Sequence, residues 1–259
     1  MLSLVEIEKY YPENLQGFKQ FILREYLQHK ILQIIFEGSQ ANNLSFLGGT
    51  CLRIVHGNTR FSEDIDFDNL GLDEQKFETV SKDIIKHLES EGYKVEMKTV
   101  YKGAYHCYIR FPELLYQEGL SGYKSEKILI QLDTEPQRFD FKPDKYILNR
   151  FDVFTQIHIT PLDILLAQKF YAILNRVRNK GRDFYDAVFL LSLVEKPNYD
   201  YIQLKLKINT PEALKARLLE RCNAIDMNEM AKDVMPFLFK AGDAQKVSHF
   251  VEYIRQLKL

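Results

Sequence analysis

The stretch Leu47-Gly-Gly-Thr-Cys-Leu-Arg-Ile-Val-His-Gly-Asn-Thr-Arg-Phe-Ser-Glu-Asp-Ile-Asp-Phe-Asp68 decides how this chain reads. Ser45-Phe46-Leu47 is a short buried strand, broken by Gly48-Gly49. A short helix over 50–56 and a loop, Gly57-Asn58-Thr59-Arg60, follow. Ile65 and Phe67 then alternate with acids, which is strand periodicity. Asp64 and Asp66 lie two apart, so a strand projects both carboxylates from one face. Two adjacent anions repel, and burying them demands a countercharge. A divalent cation supplies it: Mg²⁺ is hard and takes one or two carboxylates plus phosphate oxygens. The glycine pair lets backbone amides approach a ligand closely at a helix start, where phosphate is favoured, and Thr50 adds a hydroxyl there. A lone D-x-D is usually a solvated strand edge, and a lone Gly-Gly turn says less still. The ordered combination, with fourteen residues between Gly49 and Asp64, is far more specific.

Outward from this stretch the pattern predicts an α+β fold. An amphipathic helix is expected over 15–37 and another over 73–90, with strands at 93–100, 104–111 and 127–133. Beyond residue 160 every periodic segment is helical: 162–174, 184–194, 211–222, 226–240 and 243–257. Residues 1–159 carry 19 basic and 24 acidic side chains, and residues 160–259 carry 16 and 12. Thr160 is a candidate helix cap, with Pro161 at the first position and Asp163 at the positive end. The expectation is a sheet domain over 1–159 and a helical domain over 160–259 that contributes to the active-site cleft.

The whole chain has 259 residues and a net charge of −1, which argues against a wholesale polyanion binder. Cys51, Cys107 and Cys222 are an odd set without C-x-x-C spacing, so they read as free thiols. No secretory segment follows Met1, because Glu6, Glu8 and Lys9 interrupt it. No apolar run is long enough to span a bilayer, and the expected setting is the cytoplasm.

Two further positions stand out by geometry. At 100° per residue Lys169 falls inside the apolar stripe of Leu162, Leu165 and Leu166, where a lysine must snorkel, pair or face a pocket. Asp183 shares a face with Ala187, Leu190 and Val194 at the start of the next helix. The two could form a structural ion pair or serve a nucleotide; these readings are compatible. Arg176-Val-Arg-Asn-Lys-Gly-Arg182 places four cations within seven residues, which reads first as a solvated helix end.

The Gly48-Gly49 turn and the D-x-D strand resemble the nucleotidyltransferase superfamily of polymerase β type. The fuller wording, Gly48-Gly49-Thr50 with Arg60-Phe61-Ser62-Glu63-Asp64-Ile65-Asp66-Phe67, is similar to the AbiEii/AbiGii toxin family. Lys169 in Leu165-Leu-Ala-Gln-Lys-Phe170 and the run Arg182-Asp183-Phe-Tyr-Asp186 match that family's later motifs. The resemblance covers roughly 47–191. It implies a nucleotidyltransferase-like mixed sheet with flanking helices, then a helical domain. It implies a metal-dependent transfer of a nucleoside monophosphate from a nucleoside triphosphate to an acceptor hydroxyl, with RNA or tRNA as acceptor. Mg²⁺ or Mn²⁺ would sit on Asp64, Asp66 and a third carboxylate, Asp133 at the end of its strand or else Glu135. Gly48, Gly49, Thr50, Arg60, Ser62, Lys169, Arg182 and Asp186 would bind the nucleotide, and Lys169 and Asp183 would act in catalysis. A cognate antitoxin would silence the toxin. The rival readings are a non-catalytic nucleotide-binding module and a phosphotransferase that uses the triphosphate as phosphate donor.

Overall fold

The computed structural model describes residues 1–257; the last two positions of the expected helical domain lie outside the described residues. The chain divides into two compact units. The first comprises 1–55, 61–138 and 142–159; the second comprises 56–60, 139–141 and 160–259.

The first unit contains helices α1 (Leu4–Glu8), α2 (Glu13–Gln16), α3 (Lys19–Glu37), α4 (Gly48–Ile54), α5 (Glu74–Ser90) and α6 (Leu114–Gln117). Its strands are β1 (Leu44–Leu47), β2 (Ile65–Asn69), β3 (Glu96–Lys102), β4 (Ala104–Phe111), β5 (Ile128–Glu135), β6 (Asp144–Arg150) and β7 (Val153–Ile159). They form one mixed sheet in the order β3-β4-β5-β2-β1-β7-β6. β1 runs antiparallel to β2 and parallel to β7, and β2 runs parallel to β5.

Alternation sorts the sheet into two faces. Phe46, Ile65, Phe67, Ile130, Leu132, Cys107 and Ile109 are all buried. Phe67 packs on Phe36 of α3, with ring centroids 5.9 Å apart, and Tyr105 packs on Phe77 of α5 at 5.4 Å. Each large apolar side chain so buried contributes roughly 1.5–3 kcal/mol. The helix expected to begin at 15 starts at Lys19, after a separate turn over Glu13–Gln16. It is also less one-sided than its pattern predicts, because Glu25, Gln28, His29 and Lys30 are buried with its apolar residues. Each finds a partner within the unit. Glu25 accepts from Tyr11 and Arg53, Gln28 donates to the Ser62 carbonyl, His29 bonds the Glu25 carbonyl, and Lys30 pairs with Glu91.

The β6–β7 hairpin has no counterpart in the predicted elements. Arg150 pairs with Val153, which leaves a two-residue turn at Phe151-Asp152. Phe151 takes a φ of +59°, a conformation that turns normally assign to Gly or Asn. Its ring meets those of Tyr10, Tyr26 and His29 at 4.8–5.3 Å, which holds the uncommon backbone in place.

The second unit is helical: α7 (Leu162–Asn175), α8 (Gly181–Leu191), α9 (Tyr199–Leu206), α10 (Pro211–Asn223), α11 (Met227–Val234), α12 (Gln245–Ser248) and α13 (Phe250–Gln256). Thr160 is not the cap of α7: Pro161 is, with φ −54°, ψ 147° and no side-chain cap bond. The single helix expected over 226–240 stops at Val234, and Pro236 sits in a 3₁₀ turn over Met235–Phe237. The helix expected over 243–257 is a 3₁₀ turn followed by α12 and α13. Gly181 opens α8 where a Cβ would lie 2.9 Å from the Met230 carbonyl carbon of α11, so only glycine allows that packing.

Candidate functional site

In the sheet unit the site is assembled around the turn after β1. Gly48 has φ +79°, the left-handed region that side chains disfavour. A Cβ added there would lie 2.9 Å from the Asp66 Cβ, so the turn backbone is packed on Asp66 itself. Thr50 is buried, and its hydroxyl donates to the Asp64 carbonyl, which ties the turn to the chain entering β2. The Thr50 hydroxyl is thus spent inside the fold. The strand begins at Ile65, so Asp64 immediately precedes it and Asp66 lies within it. Both carboxylates are half-buried.

The loop before Asp64 is anchored by groups that pattern reading did not single out. Gln28 of α3 donates to the carbonyls of Ser62 and Glu63 at 3.1 and 3.0 Å, and Arg24 pairs with the Glu63 carboxylate at 3.1 Å. Phe61 stacks on Phe21 with centroids 5.0 Å apart. Arg53 of α4 pairs with the buried Glu25 of α3 at 2.7 Å, which fixes the helix that follows the turn. Ser62 therefore contributes its carbonyl to this anchor.

Register extends the site across the sheet. Asp66 pairs with Leu47 on β1 and with Asp133 on β5, and Asp133 pairs with His106 on β4. The row Leu47–Asp66–Asp133–His106 lies on the sheet face opposite α3 and α5, because the alternate positions Phe67, Thr134 and Cys107 are buried. Asp133 Oδ1 accepts from His106 Nδ1 at 2.7 Å and from Gln131 Nε2 at 2.8 Å; Oδ2 accepts from Gln131 at 2.9 Å. His106 and Gln131 sit on ordinary strand positions and carry no motif that could have announced them. Glu135 is exposed and pairs in register with Asp68. Among the described residues no group of three or more His, Cys, Asp and Glu side chains is spaced to hold a metal ion.

The helical unit gathers most of the remaining candidates into one buried charge network. Asp186 is fully buried and accepts from Arg60 Nε at 2.7 Å, Arg60 Nη2 at 2.6 Å and Asn58 Nδ2 at 2.8 Å. Lys169 Nζ lies 2.8 Å from Asp186 and 3.1 Å from Asp183. Arg176 Nε reaches Asp183 Oδ2 at 3.3 Å. Burial alone would raise the Asp186 pKa, but Arg60 and Lys169 outweigh it and hold the carboxyl at about 2. Burial likewise opposes charge on Lys169, yet Asp186 and Asp183 overcome it and push its pKa up. Arg60, expected to meet nucleotide, is 2% exposed and engaged bidentately with Asp186. Arg182 stacks its guanidinium over Phe237 at 4.6 Å. Its position follows from Gly181, whose amide donates to Asp233 at 2.8 Å.

Comparison with solved structures finds the same fold at low identity. JHP933 from Helicobacter pylori superposes with a TM-score of 0.55 and 16% identity, covering 92% of each chain. A further Helicobacter pylori structure, provisionally named a nucleotidyltransferase, gives 0.55 and 16% over 92% of this chain and 95% of its own. An antigenic nucleotidyltransferase-like protein from Paracoccidioides brasiliensis gives 0.44 and 16%, over 79% of this chain and 92% of its own. Comparison with curated proteins finds no match. No helix among the described residues is long and apolar enough to cross a membrane. The family model described as "Nucleotidyl transferase AbiEii toxin, Type IV TA system" matches residues 30–254, spanning the glycine turn, the D-x-D strand and the Lys169–Asp186 network; the chain belongs to this family of nucleotidyltransferase toxins.

Proposed function

We propose that the protein is a divalent-metal-dependent nucleotidyltransferase. It moves a nucleoside monophosphate from a nucleoside triphosphate to an RNA acceptor, the acceptor end of tRNA being the target, and a cognate antitoxin silences it in the cytoplasm. The observation that carries this reading is the packing of the Gly48 backbone on Asp66, with Asp133 one strand away in register. Asp64 and Asp66 offer hard carboxylate oxygens of the kind that Mg²⁺ or Mn²⁺ takes together with phosphate oxygens, and Asp133 stands one strand away in register. Bound there, the ion would neutralise triphosphate oxygens as bonds to phosphorus change.

The chain's own groups do the remaining work. The Gly48-Gly49 turn offers backbone amides to phosphate without a side chain in the way. The Thr50 hydroxyl holds the Asp64 backbone, so the two carboxylates keep a fixed relation to that turn. The acceptor hydroxyl attacks the α-phosphorus; its new P–O bond forms as the bond to pyrophosphate breaks. In the helical unit, Arg60 and Lys169 balance Asp183 and Asp186, a scaffold that holds the α7–α8 junction and the cationic segment carrying Arg182.

Incubation with each labelled triphosphate, Mg²⁺ and total cellular RNA tests the proposal. The expected products are pyrophosphate and labelled RNA, both lost in Asp64→Asn/Asp66→Asn. Nucleoside diphosphate with labelled protein or small molecule would establish a phosphotransferase instead. Tight nucleotide binding with neither product would establish a binding module.

A further inference from the structure

Four cations fall within 176–182, and pattern alone reads them as the end of a helix. The structure gives that task to another residue. α7 closes at Asn175, and carbonyls at its end are met from α10: Arg221 Nε donates to the Ile173 carbonyl at 3.3 Å and Nη2 to that of Arg176 at 2.8 Å. Nη2 also donates to Asn179 Oδ1 at 3.0 Å, so one guanidinium braces both ends of the α7–α8 loop. The loop's own cations are left to the surface. Arg176 is half-exposed and reaches Asp183 at 3.3 Å. Arg178 is exposed, and among the described residues Arg178 and Lys180 enter no ion pair. Val177, between the two arginines, is fully exposed, so the tip stands clear of the helices beside it. Beside the loop lies an open hollow of about 330 Å³ lined by Leu174, Arg217, Glu220, Arg221 and Ala224.

We propose that the α7–α8 loop is the surface on which the helical unit takes up the sugar-phosphate backbone of the RNA acceptor, with Arg178 and Lys180 neutralising phosphates. This rests on the reading given above that the acceptor is RNA. Charge complementarity selects the occupant. Residues 160–259 carry 16 basic and 12 acidic side chains, and only Asp183, beyond the loop, brings an acid near the run 176–182. A protein partner would centre on apolar or aromatic side chains, whereas this loop offers one valine among cations. Phosphate contacts of this kind hold and steer a polyanion without reading its sequence. The Arg221 brace orders the loop in advance, so less conformational freedom is lost on binding.

The test is binding of fluorescein-labelled tRNA to the full chain, read by anisotropy in EDTA over a salt series, alongside thermal melts. Each phosphate contact adds roughly 0.7–0.9 to the slope of log K against log salt. Arg178→Gln/Lys180→Gln should therefore flatten that slope by about 1.5, which at about 0.1 M salt is a loss of about 30-fold, with an unchanged melt. Arg178→Lys should keep the wild-type slope, because a point charge suffices for a phosphate. Lys82→Gln/Lys86→Gln, at exposed positions of α5, removes the same net charge and should change affinity by less than about twofold. Equal losses in the two double variants would overturn the proposal, because net charge and not this loop would then govern binding. An unchanged slope in the loop variant would overturn it too, and labelled RNA still formed at the wild-type KM would leave the nucleotidyltransferase reading standing without it. A loop variant that binds tRNA normally but escapes the cognate antitoxin would assign the loop to a protein and sink the RNA surface. Wild-type protein that binds tRNA through the loop yet releases no pyrophosphate would keep the surface and remove the transferase reading.

Discussion

Replacing Lys169 by Met separates a structural lysine from a substrate-contacting one. The methionine stem keeps the packing of the lysine methylenes in the α7 stripe, so the change is chiefly one of charge. In the wild type, Arg60 and Lys169 face Asp183 and Asp186, whose side chains are 5% and 0% exposed. Removing Lys169 takes away the amine 2.8 Å from Asp186 and leaves Asp183 facing the half-exposed Arg176 at 3.3 Å, and breaking a buried pair costs about 3–5 kcal/mol. A proton sets a ceiling on that cost. Protonating a carboxylate of ordinary pKa, about 3.9, costs about 4 kcal/mol at pH 7, from 1.36 kcal/mol per pH unit, and only about 1.5 kcal/mol at pH 5. Lys169 has a raised pKa, so its own contribution is fully present below the unfolded value of 10.5 and is lost only as pH rises through the folded value. Denaturant unfolding should therefore show Lys169→Met destabilised by about 3–4 kcal/mol at pH 7, with the deficit shrinking to about 1–2 kcal/mol at pH 5. The double variant Lys169→Met/Asp183→Asn should recover most of the loss, because Asp183 then no longer holds a buried charge that has lost its close amine. Stability within about 0.5 kcal/mol of wild type at pH 7, together with lost turnover, would refute the structural assignment and return Lys169 to the substrate.

Three shorter expectations complete the set. Gly48→Ala must place a Cβ against Asp66 at a left-handed backbone, so it should lose about 1–3 kcal/mol of stability and most divalent-ion affinity; a fully active, equally stable variant contradicts the turn assignment. Burial drives the His29 pKa from 6.5 to about 4, so stability is complete above 6.5 and falls as pH drops toward 4, by up to about 3 kcal/mol; His29→Phe should flatten that window in a pH series of melts, and an unchanged slope would show that other groups cause it. Expressed alone in a bacterial host, the wild-type chain should slow growth and Asp64→Ala at equal soluble level should not; equal arrest by both would indicate sequestration in place of turnover.

What the sequence made legible were features whose chemistry demands particular residues at short range. Gly48-Gly49 and Asp64-x-Asp66 are such features, because a backbone packed on a carboxylate tolerates no side chain and paired acids need a counterion. The inward faces of Lys169 and Asp183 were legible from helical period alone, and the structure pairs them at 3.1 Å. The rest depended on partners far apart in the chain. Arg60 and Asp186 are 126 positions apart, so nothing near Arg60 indicates that its charge is consumed in a buried pair. His106 and Asp133 meet because two strands adopt one register, and a register shift of a single residue would place them on opposite faces. The β6–β7 hairpin stayed hidden because Phe151 occupies a turn position that normally advertises itself with glycine or asparagine. Its strand β7 alternates openly at Val153, Thr155, Ile157 and Ile159, all buried, and that alternation was the missed signal. The polar residues of α3 illustrate the same limit from the other side. Glu25, Gln28 and Lys30 look like a solvated face in sequence, yet each is buried because loops and helices elsewhere in the sheet unit bring it a partner. Local chemistry thus names the groups that can react, while long-range pairing decides which of them are free to do so.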